Sequence, residues 1–402
     1  MLVGQKVTMQ DVRRANRALV VRHLFMEGQT SRVAVGAATG LSPATVTSVI
    51  SGLLEDGSII ERGSAETENG RPRTLLSLNK DAARVLGADV GEAAVNIGLF
   101  DLDLNCLGER SYPFASRHIE PEIVTQAITE GAHNLVDQCE ANDIPLLGLG
   151  LGVPGIVQTI VQPDSTIRHL VYAQVIGWNA ASFDHLTDIL KVPVLIDNGA
   201  KTTTQAEHWF GTIRGCDDAA MVLIGAGAGA GIISNGKLLR GSSASAGEWG
   251  HTKISMDGPR CRCGARGCVE AFVGAAAVLQ AWRGLEAVSG GEEMQGVAQM
   301  FQAASTGDRR AVRAIDDLVE YLGVALSNLV NLYNPGRLIL GGWFGDIIAD
   351  HLFDRVVDAV KASSLKQPGA EMTIKRSSLG NKGITLGAAT LVVDRFIESG
   401  WR

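Results

Sequence analysis

Gly247-Glu248-Trp249-Gly250-His251 and, beginning ten positions beyond the histidine, Cys261-Arg262-Cys263-Gly264-Ala265-Arg266-Gly267-Cys268-Val269-Glu270 form the stretch on which the reading of this chain turns. Three cysteines fall within eight positions, in the spacing Cys-x-Cys-x4-Cys. In a chain with no sign of secretion, such clustering reads as a metal site rather than a disulfide framework. The three thiolates of Cys261, Cys263 and Cys268 and the imidazole of His251 complete a tetrahedral set. A closed set of this kind suits a structural Zn2+, because no position is left for water. Gly264 and Gly267 permit the tight turns that bring the sulfurs together. Two carboxylates, Glu248 and Glu270, flank the loop, a placement expected to serve ligand binding rather than solvation alone. The other cysteines, Cys106, Cys139 and Cys216, are scattered and are expected to be buried free thiols.

Upstream and downstream of this stretch, strands alternate with helices. Val85–Val90 and Val95–Asp101 read as a buried hairpin, and Leu146–Val153 as a strand that ends in Gly152-Val153-Pro154-Gly155. Val192–Ile196 is read as a strand before a helix of about Ala200–Phe210. Met221–Ile224 leads into the Gly/Ala run 225–231, and Arg337–Leu340 ends in Gly341-Gly342. Strands closed by glycine turns, repeated in two halves, describe a bilobal α/β architecture with a cleft. Glycines at strand ends let backbone N–H groups approach a phosphate or a sugar. Small residues also occur where a strand packs tightly on another backbone.

The head of the chain is different in kind. Residues 1–80 carry 10 Lys+Arg against 7 Asp+Glu, whereas the rest holds 26 against 36. A mildly basic head on an acidic body fits a nucleic-acid reader joined to a ligand domain. Val12, Ala15, Leu19, Val20 and Leu24 recur at helical spacing. A second short helix, capped by Thr30 or Ser31, runs to about Thr39 and closes at Gly40 in a left-handed conformation. Ser42 and Pro43 then start a third helix, with Val46, Val49, Ile50 and Leu53 as its apolar stripe. Thr45, Thr47, Ser48 and Ser51 stay on other faces, as a recognition helix requires. Ser58–Arg62 and Leu75–Leu78 read as strands of a wing whose loop, with Arg71 and Arg73, can enter a minor groove or clamp phosphates. The expected DNA contacts are Ser42, Ala44, Thr45, Thr47, Ser48, Arg71 and Arg73.

The stretch from Gly241 to Glu270 resembles the signature of the ROK family of bacterial repressors and sugar kinases, which share an actin-like, hexokinase-like fold. The resemblance spans essentially the whole chain, and the head, with Ser42-Pro43-Ala44-Thr45-Val46-Thr47 and Gly70-Arg71-Pro72, is similar to the repressor branch. Carried over from the family, sugar hydroxyls fall to Asn198, Glu248, His251 and Glu270, with His251 touching sugar and metal by different faces. Three positions depart from the kinases. Where they carry Asn-Asp, with the Asp as general base, this chain reads Asp197-Asn198-Gly199. Their first phosphate loop, Asp-x-Gly-Gly-Thr, is here Asp89-Val90-Gly91-Glu92-Ala93, in which Glu92 would repel ATP phosphates. In the second loop, Ala226 replaces Thr.

The resemblance therefore implies a winged helix-turn-helix over 1–80 and a first α/β lobe over 81–196 completed by about 380–402. A second lobe over 197–379 carries the zinc loop and an oligomerisation surface. The expected function is a sugar-responsive transcriptional repressor of carbohydrate uptake or catabolism genes, without catalytic residues and without ATP. The alternative is an ATP-dependent sugar kinase with a regulatory DNA-binding head. Expected partners are a double-stranded operator, a sugar or sugar phosphate, and further copies of the chain as homodimer or homotetramer. A pentose such as xylose, or a 6-phosphate, suits the loss of an acid at position 199. No apolar run is long enough for a membrane span, and the default is a cytoplasmic protein.

Overall fold

A computed structural model describes residues 8–65, 73–114, 118–140, 144–162, 167–284 and 292–400. Arg71 and the tip of the loop that carries it lie outside the described residues.

The first helix, α1 (Met9–Glu27), is started by a reciprocal cap. The Thr8 hydroxyl accepts from the Asp11 N–H at 3.2 Å, and the Asp11 carboxylate accepts from the Thr8 N–H at 3.0 Å. The short strand β1 (Thr30–Ser31) leads into α2 (Arg32–Thr39), capped by Ser31 and ended by Gly40 at φ 69°. Ser42 caps α3 (Pro43–Glu55), and α2 and α3 meet at 119°, a crossing in the range of helix-turn-helix pairs. With β2 (Ile59–Ala65) and β3 (Arg73–Leu78), β1 completes a three-stranded antiparallel sheet in the order β1-β3-β2. The apolar face of α1 differs from the sequence expectation. Val20, Val21 and Leu24 are buried, whereas Val12 and Leu19 keep 41% and 47% exposure. The buried apolar side chains of α1 are confined to its second half, while Arg14 and Arg17 of the first half lie against Gly400 and Asp56.

The body holds one topology twice. β4 (Arg84–Val90), β5 (Ala94–Phe100) and β6 (Cys106–Pro113) form an antiparallel meander. After α4 (Pro121–Glu140), β7 (Leu146–Val153) adds parallel to β4. A small sheet of β8 (Ile156–Val161), β9 (Ile167–Ala173) and β10 (Trp178–Ala181) intervenes, followed by α5 (Leu186–Leu190). β11 (Val194–Asn198) then adds parallel to β7, and α6 (Gly199–Phe210) leaves its end. The first sheet has the order β11-β7-β4-β5-β6.

In the second half, β12 (Ala219–Ile224), β13 (Ala228–Ser234) and β14 (Lys237–Leu238) are the meander. Helices α7 (Glu270–Val273), α8 (Ala275–Arg283), α9 (Glu293–Ser305) and α10 (Arg309–Tyr333) follow. β15 (Arg337–Gly341) is parallel to β12, and α11 (Trp343–Ser363) and α12 (Lys366–Glu371) precede β16 (Thr373–Arg376), parallel to β15. The order β14-β13-β12-β15-β16 repeats that of the first sheet strand for strand. The chain closes with α13 (Gly383–Glu398), which returns to the first sheet. It lies so close there that a Cβ at Gly150 of β7 would collide with the Ala388 carbonyl oxygen.

Three local expectations change. The strand read at Val192–Ile196 runs two residues later, to the Asn198 that caps α6. The Gly/Ala run is not one loop: from Ala228 it is strand, because antiparallel pairing with β12 continues through Ala228↔Ile224. Gly231 is small because α6 packs on it, where a Cβ would strike the Thr204 hydroxyl. Of the cysteines expected to be buried, Cys106 is exposed, because it opens the edge strand β6, Cys216 is half-buried, and the side chain of Cys139 lies outside the described residues. Among the described residues no single helix is long and apolar enough to cross a membrane.

Candidate ligand cleft and metal centre

Strand ends of the two halves face each other across a cleft of 1170 Å³. From the first half come Asp89–Ala94, Val153–Gly155 and the start of α6. The second half contributes the β12–β13 turn, Glu248, His251, Arg262, Glu270 and Trp343. All four residues expected to hold a sugar therefore line one space, although they come from separate segments.

Each is positioned by local structure. Glu248 precedes a single helical turn, Trp249–His251, pinned by the buried Trp249, whose indole N–H donates to the Ala325 carbonyl of α10 at 2.9 Å. Burial pushes the Glu248 carboxyl above the usual carboxylate range, with His251 and Lys201 pulling the other way. Glu270 is the first residue of α7, and its Oε2 accepts from the Ala228 N–H at 3.1 Å.

Asn198 is more committed than its sequence context implied. Its Oδ1 accepts from the Ala200 and Lys201 N–H groups at 2.9 and 3.3 Å, and its Nδ2 donates to the Gly155 carbonyl at 2.7 Å. It caps α6 and ties that helix to the turn after β7, leaving one amide hydrogen for a ligand.

Gly199 offers no side chain, and a Cβ there would meet Ile384 at 3.5 Å and the Val153 carbonyl oxygen at 3.8 Å. Asp197 turns away from the cleft. Its buried carboxylate pairs with Arg240 and accepts the Asn198 N–H at 2.8 Å.

At the edge of the cleft His251, Cys261, Cys263 and Cys268 form a cluster whose donor atoms all lie within 4.8 Å of one another. Cys261 Sγ is 3.6 Å from His251 Nδ1, and Cys263 Sγ is 3.7 Å from Cys268 Sγ. These four residues can hold a metal ion. Burial pushes the Cys261 thiol up to about 12, so its thiolate requires a cation nearby. Two charged neighbours escaped the sequence reading. The Lys253 ammonium donates to Cys268 Sγ at 2.7 Å, and Arg262 ties Glu92 to Glu270. Only the cation-rich composition of the loop hinted at either.

The described candidate DNA contacts lie on the head, around α3 and at the start of β3. Ser42, Ala44, Thr47 and Ser48 are exposed on or beside α3, and Arg73 is exposed at the start of β3. Thr45 is half-buried, its hydroxyl 2.9 Å from that of Ser42. The Thr47 hydroxyl donates back to the Pro43 carbonyl at 2.8 Å.

Comparison with known proteins places these features among relatives. The profile of the ROK family matches residues 85–395. The xylose repressor of Bacillus subtilis (strain 168) is 28% identical over 396 residues, covering 96% of this chain and 97% of that repressor. The DNA-binding transcriptional dual regulator NagC of Escherichia coli (strain K12) is 28% identical, covering 95% of this chain and 93% of its own length. Among solved structures, a ROK family transcriptional regulator described as a homolog of the E. coli MLC protein aligns at a TM-score of 0.77 and 23% identity, over 97% of this chain and 98% of its own. A ROK family glucokinase from Streptomyces griseus aligns at 0.61 and 24% identity, over 77% of this chain and 99% of its own.

Proposed function

Because this chain belongs to the ROK family, we propose that it is a sugar-responsive transcriptional repressor, with a winged helix-turn-helix as its DNA reader and a two-lobed, sugar-kinase-like body as its effector domain. It is a regulator and not an enzyme. One observation carries this reading: similarity to the repressors extends over at least 95% of the chain, head included, whereas the glucokinase accounts for 77% of it.

The head supplies a suitable reader. α3 follows α2 at 119°, its stripe Val46, Ile50 and Leu53 is buried, and its opposite face presents short polar side chains to a major groove. Ser42, Ala44, Thr45, Thr47 and Ser48 read or position, and Arg71 and Arg73 on the wing engage phosphates or the minor groove. Two copies, or two pairs, bind a roughly two-fold symmetric operator.

The effector is a sugar held in the cleft by Glu248, Glu270, His251 and the remaining amide hydrogen of Asn198. The metal is Zn2+. Sulfurs 3.7 Å apart match the edge of roughly 3.8 Å expected for a tetrahedron with metal–sulfur bonds of about 2.3 Å. His251 directs Nδ1 at the sulfurs, which leaves Nε2 for the ligand. Bound there, the ion fixes the loop between Glu248 and Glu270 and performs no chemistry. Phosphoryl transfer is not expected, because no base occupies position 199 and the Asp197 carboxylate is paired with Arg240.

The test is selection of duplex DNA by the full-length protein, followed by titration of the selected sequence with and without a panel of pentoses, hexoses and their phosphates. Sequence-selective binding that a sugar alters is the expected result. Absence of selectivity at moderate salt, or sugar-dependent ADP release from ATP, refutes the reading.

A further inference from the structure

Arg262 stands between two of the clustered cysteines and reaches across the cleft. Its Nη1 donates to both carboxylate oxygens of Glu92, at 3.1 and 3.0 Å, and its Nε donates to Glu270 Oε1 at 3.4 Å. Glu92 lies on the β4–β5 turn of the first half, and Arg262 and Glu270 belong to the second. The bridge thus joins the two walls of the cleft. It is not a rim contact, since the side chains of Glu92, Arg262 and Glu270 keep 25%, 32% and 12% of their exposure. The local backbone is built around it: a Cβ at Gly227 would lie 2.5 Å from both Arg262 Nη2 and Glu270 Oε2.

A guanidinium nitrogen shared in this way by two carboxylate oxygens can equally donate to a phosphate. Here the chain provides the carboxylate itself. The remaining cationic features near the cleft are also committed. Lys382 pairs with Glu109 at 3.6 Å. Lys201, buried beneath the cleft, donates to the Ala244 carbonyl, and Arg240 pairs with Asp197. Arg110 is exposed on the edge strand β6 and donates to the Glu109 carbonyl at 2.8 Å. The N-terminus of α6 would be a natural anion site, but Asn198 Oδ1 already takes its Ala200 and Lys201 N–H groups. Among the described residues six carboxylates and three Lys or Arg side chains line the cleft.

We propose that Glu92 and Arg262 determine specificity: Glu92 occupies the anion-binding face of Arg262, so that the cleft takes an uncharged sugar and rejects its phosphate ester, and Arg262 in turn positions Glu270 for the sugar's hydroxyls. This rests on the reading of the cleft as a sugar site. It settles which of two ligand chemistries the site receives, the plain pentose or hexose rather than the 6-phosphate. It also gives Glu92 a role beyond spoiling a phosphate loop.

The experiment is calorimetric titration of the full-length protein with D-xylose, D-glucose, glucose 6-phosphate and, as a sugar-free probe, inorganic phosphate. Wild type, Glu92→Ala, the milder Glu92→Gln, Arg262→Gln and the double variant Glu92→Ala/Arg262→Gln are compared, with circular dichroism melts to establish that each is folded. Wild type is expected to bind one of the plain sugars at least about tenfold more tightly than glucose 6-phosphate. Freeing the guanidinium in Glu92→Ala is expected to raise affinity for inorganic phosphate and for glucose 6-phosphate by about tenfold, the scale of one charge-assisted contact. The double variant loses that gain, which a merely structural role for Glu92 would not produce. A wild type that prefers the phosphate ester overturns the proposal, as do Glu92 variants that gain nothing for phosphate. If no sugar binds yet Glu92→Ala gains phosphate, the anion site at Arg262 stands and the sugar reading of the cleft falls.

Discussion

The ring of Phe25 in α1 meets the indole of Trp209 in α6 edge-on, with centroids 5.2 Å apart. Phe210 adds a second edge contact at 5.7 Å, and the Arg22 guanidinium lies 5.9 Å from the Trp209 ring while pairing with Asp394 of α13 at 2.6 Å. Val20, Val21 and Leu24 of the head share one apolar cluster with Val392, Val393 and Ile397 of α13. Head and body are therefore not beads on a string. α6 begins at the Asn198 cap inside the cleft and ends against the head, a rigid span of about 18 Å at 1.5 Å per residue.

Trp209→Ala tests that coupling. Deleting a buried indole costs about 3–5 kcal/mol, so a lower thermal midpoint is expected. With a sugar present, operator affinity in this variant should shift far less than in wild type, as read by fluorescence anisotropy. A sugar response of full size in Trp209→Ala would show that the helix carries no signal.

Glu248→Gln and Glu270→Gln address the ligand. Each replaces a carboxyl by an amide with a single acceptor oxygen, and losing such a contact costs about 1.5–3 kcal/mol, so sugar affinity should fall roughly 10- to 100-fold. Operator affinity without sugar should stay near wild type, because neither side chain lies near the head. Gly227→Ala is expected to act in the same direction, since its methyl would displace both Arg262 and Glu270.

For the metal, one Zn2+ per chain is the expected stoichiometry by elemental analysis, and Cys263→Ser should lose it. Lys253→Ala should keep the ion but release it to a chelator about tenfold faster or more, the usual scale for residues that support metal ligands. The reason is charge: three thiolates and one imidazole around a divalent cation leave a negative site, and the Lys253 ammonium lies 2.7 Å from Cys268 Sγ.

What was legible in the sequence was local. Ser42, Pro43 and Gly40 announce the ends of α2 and α3 because caps act within one turn, and the cysteine cluster is visible because its donors are close in sequence. The Glu92–Arg262 pair was not legible, since its partners are 170 residues apart and Glu92 on its own reads as a repulsive charge. Asn198 was marked for the cleft, yet its tie to the turn after β7 was not legible, because only the fold brings the Gly155 carbonyl to its Nδ2. The Gly/Ala run stayed ambiguous in the sequence, because alternating small residues serve a strand under a close helix as well as a loop around a phosphate. Only the packing of α6 distinguishes the two.

Asp89 provides a test by pH. It ends the facing portion of β4 at the cleft, where burial pushes its carboxyl up to about 7, against the opposing effect of a hydrogen bond from Asn96. Asn96 Oδ1 in turn accepts the Ser111 hydroxyl at 2.8 Å. In the unfolded chain the same carboxyl ionises near 3.8. Between these values the folded state keeps a proton that the unfolded state has lost, so stability falls as pH rises from about 4 to about 7 and is level above that. Asp89→Asn cannot ionise and should remove this slope. Its thermal midpoint at pH 8 is expected to exceed that of wild type by several degrees, since a carboxyl moved from 3.8 to about 7 corresponds to roughly 4 kcal/mol, while at pH 4 the two should nearly coincide. A difference between the proteins that is the same at both pH values would mean that Asp89 stays ionised in the fold, with a partner that compensates its burial.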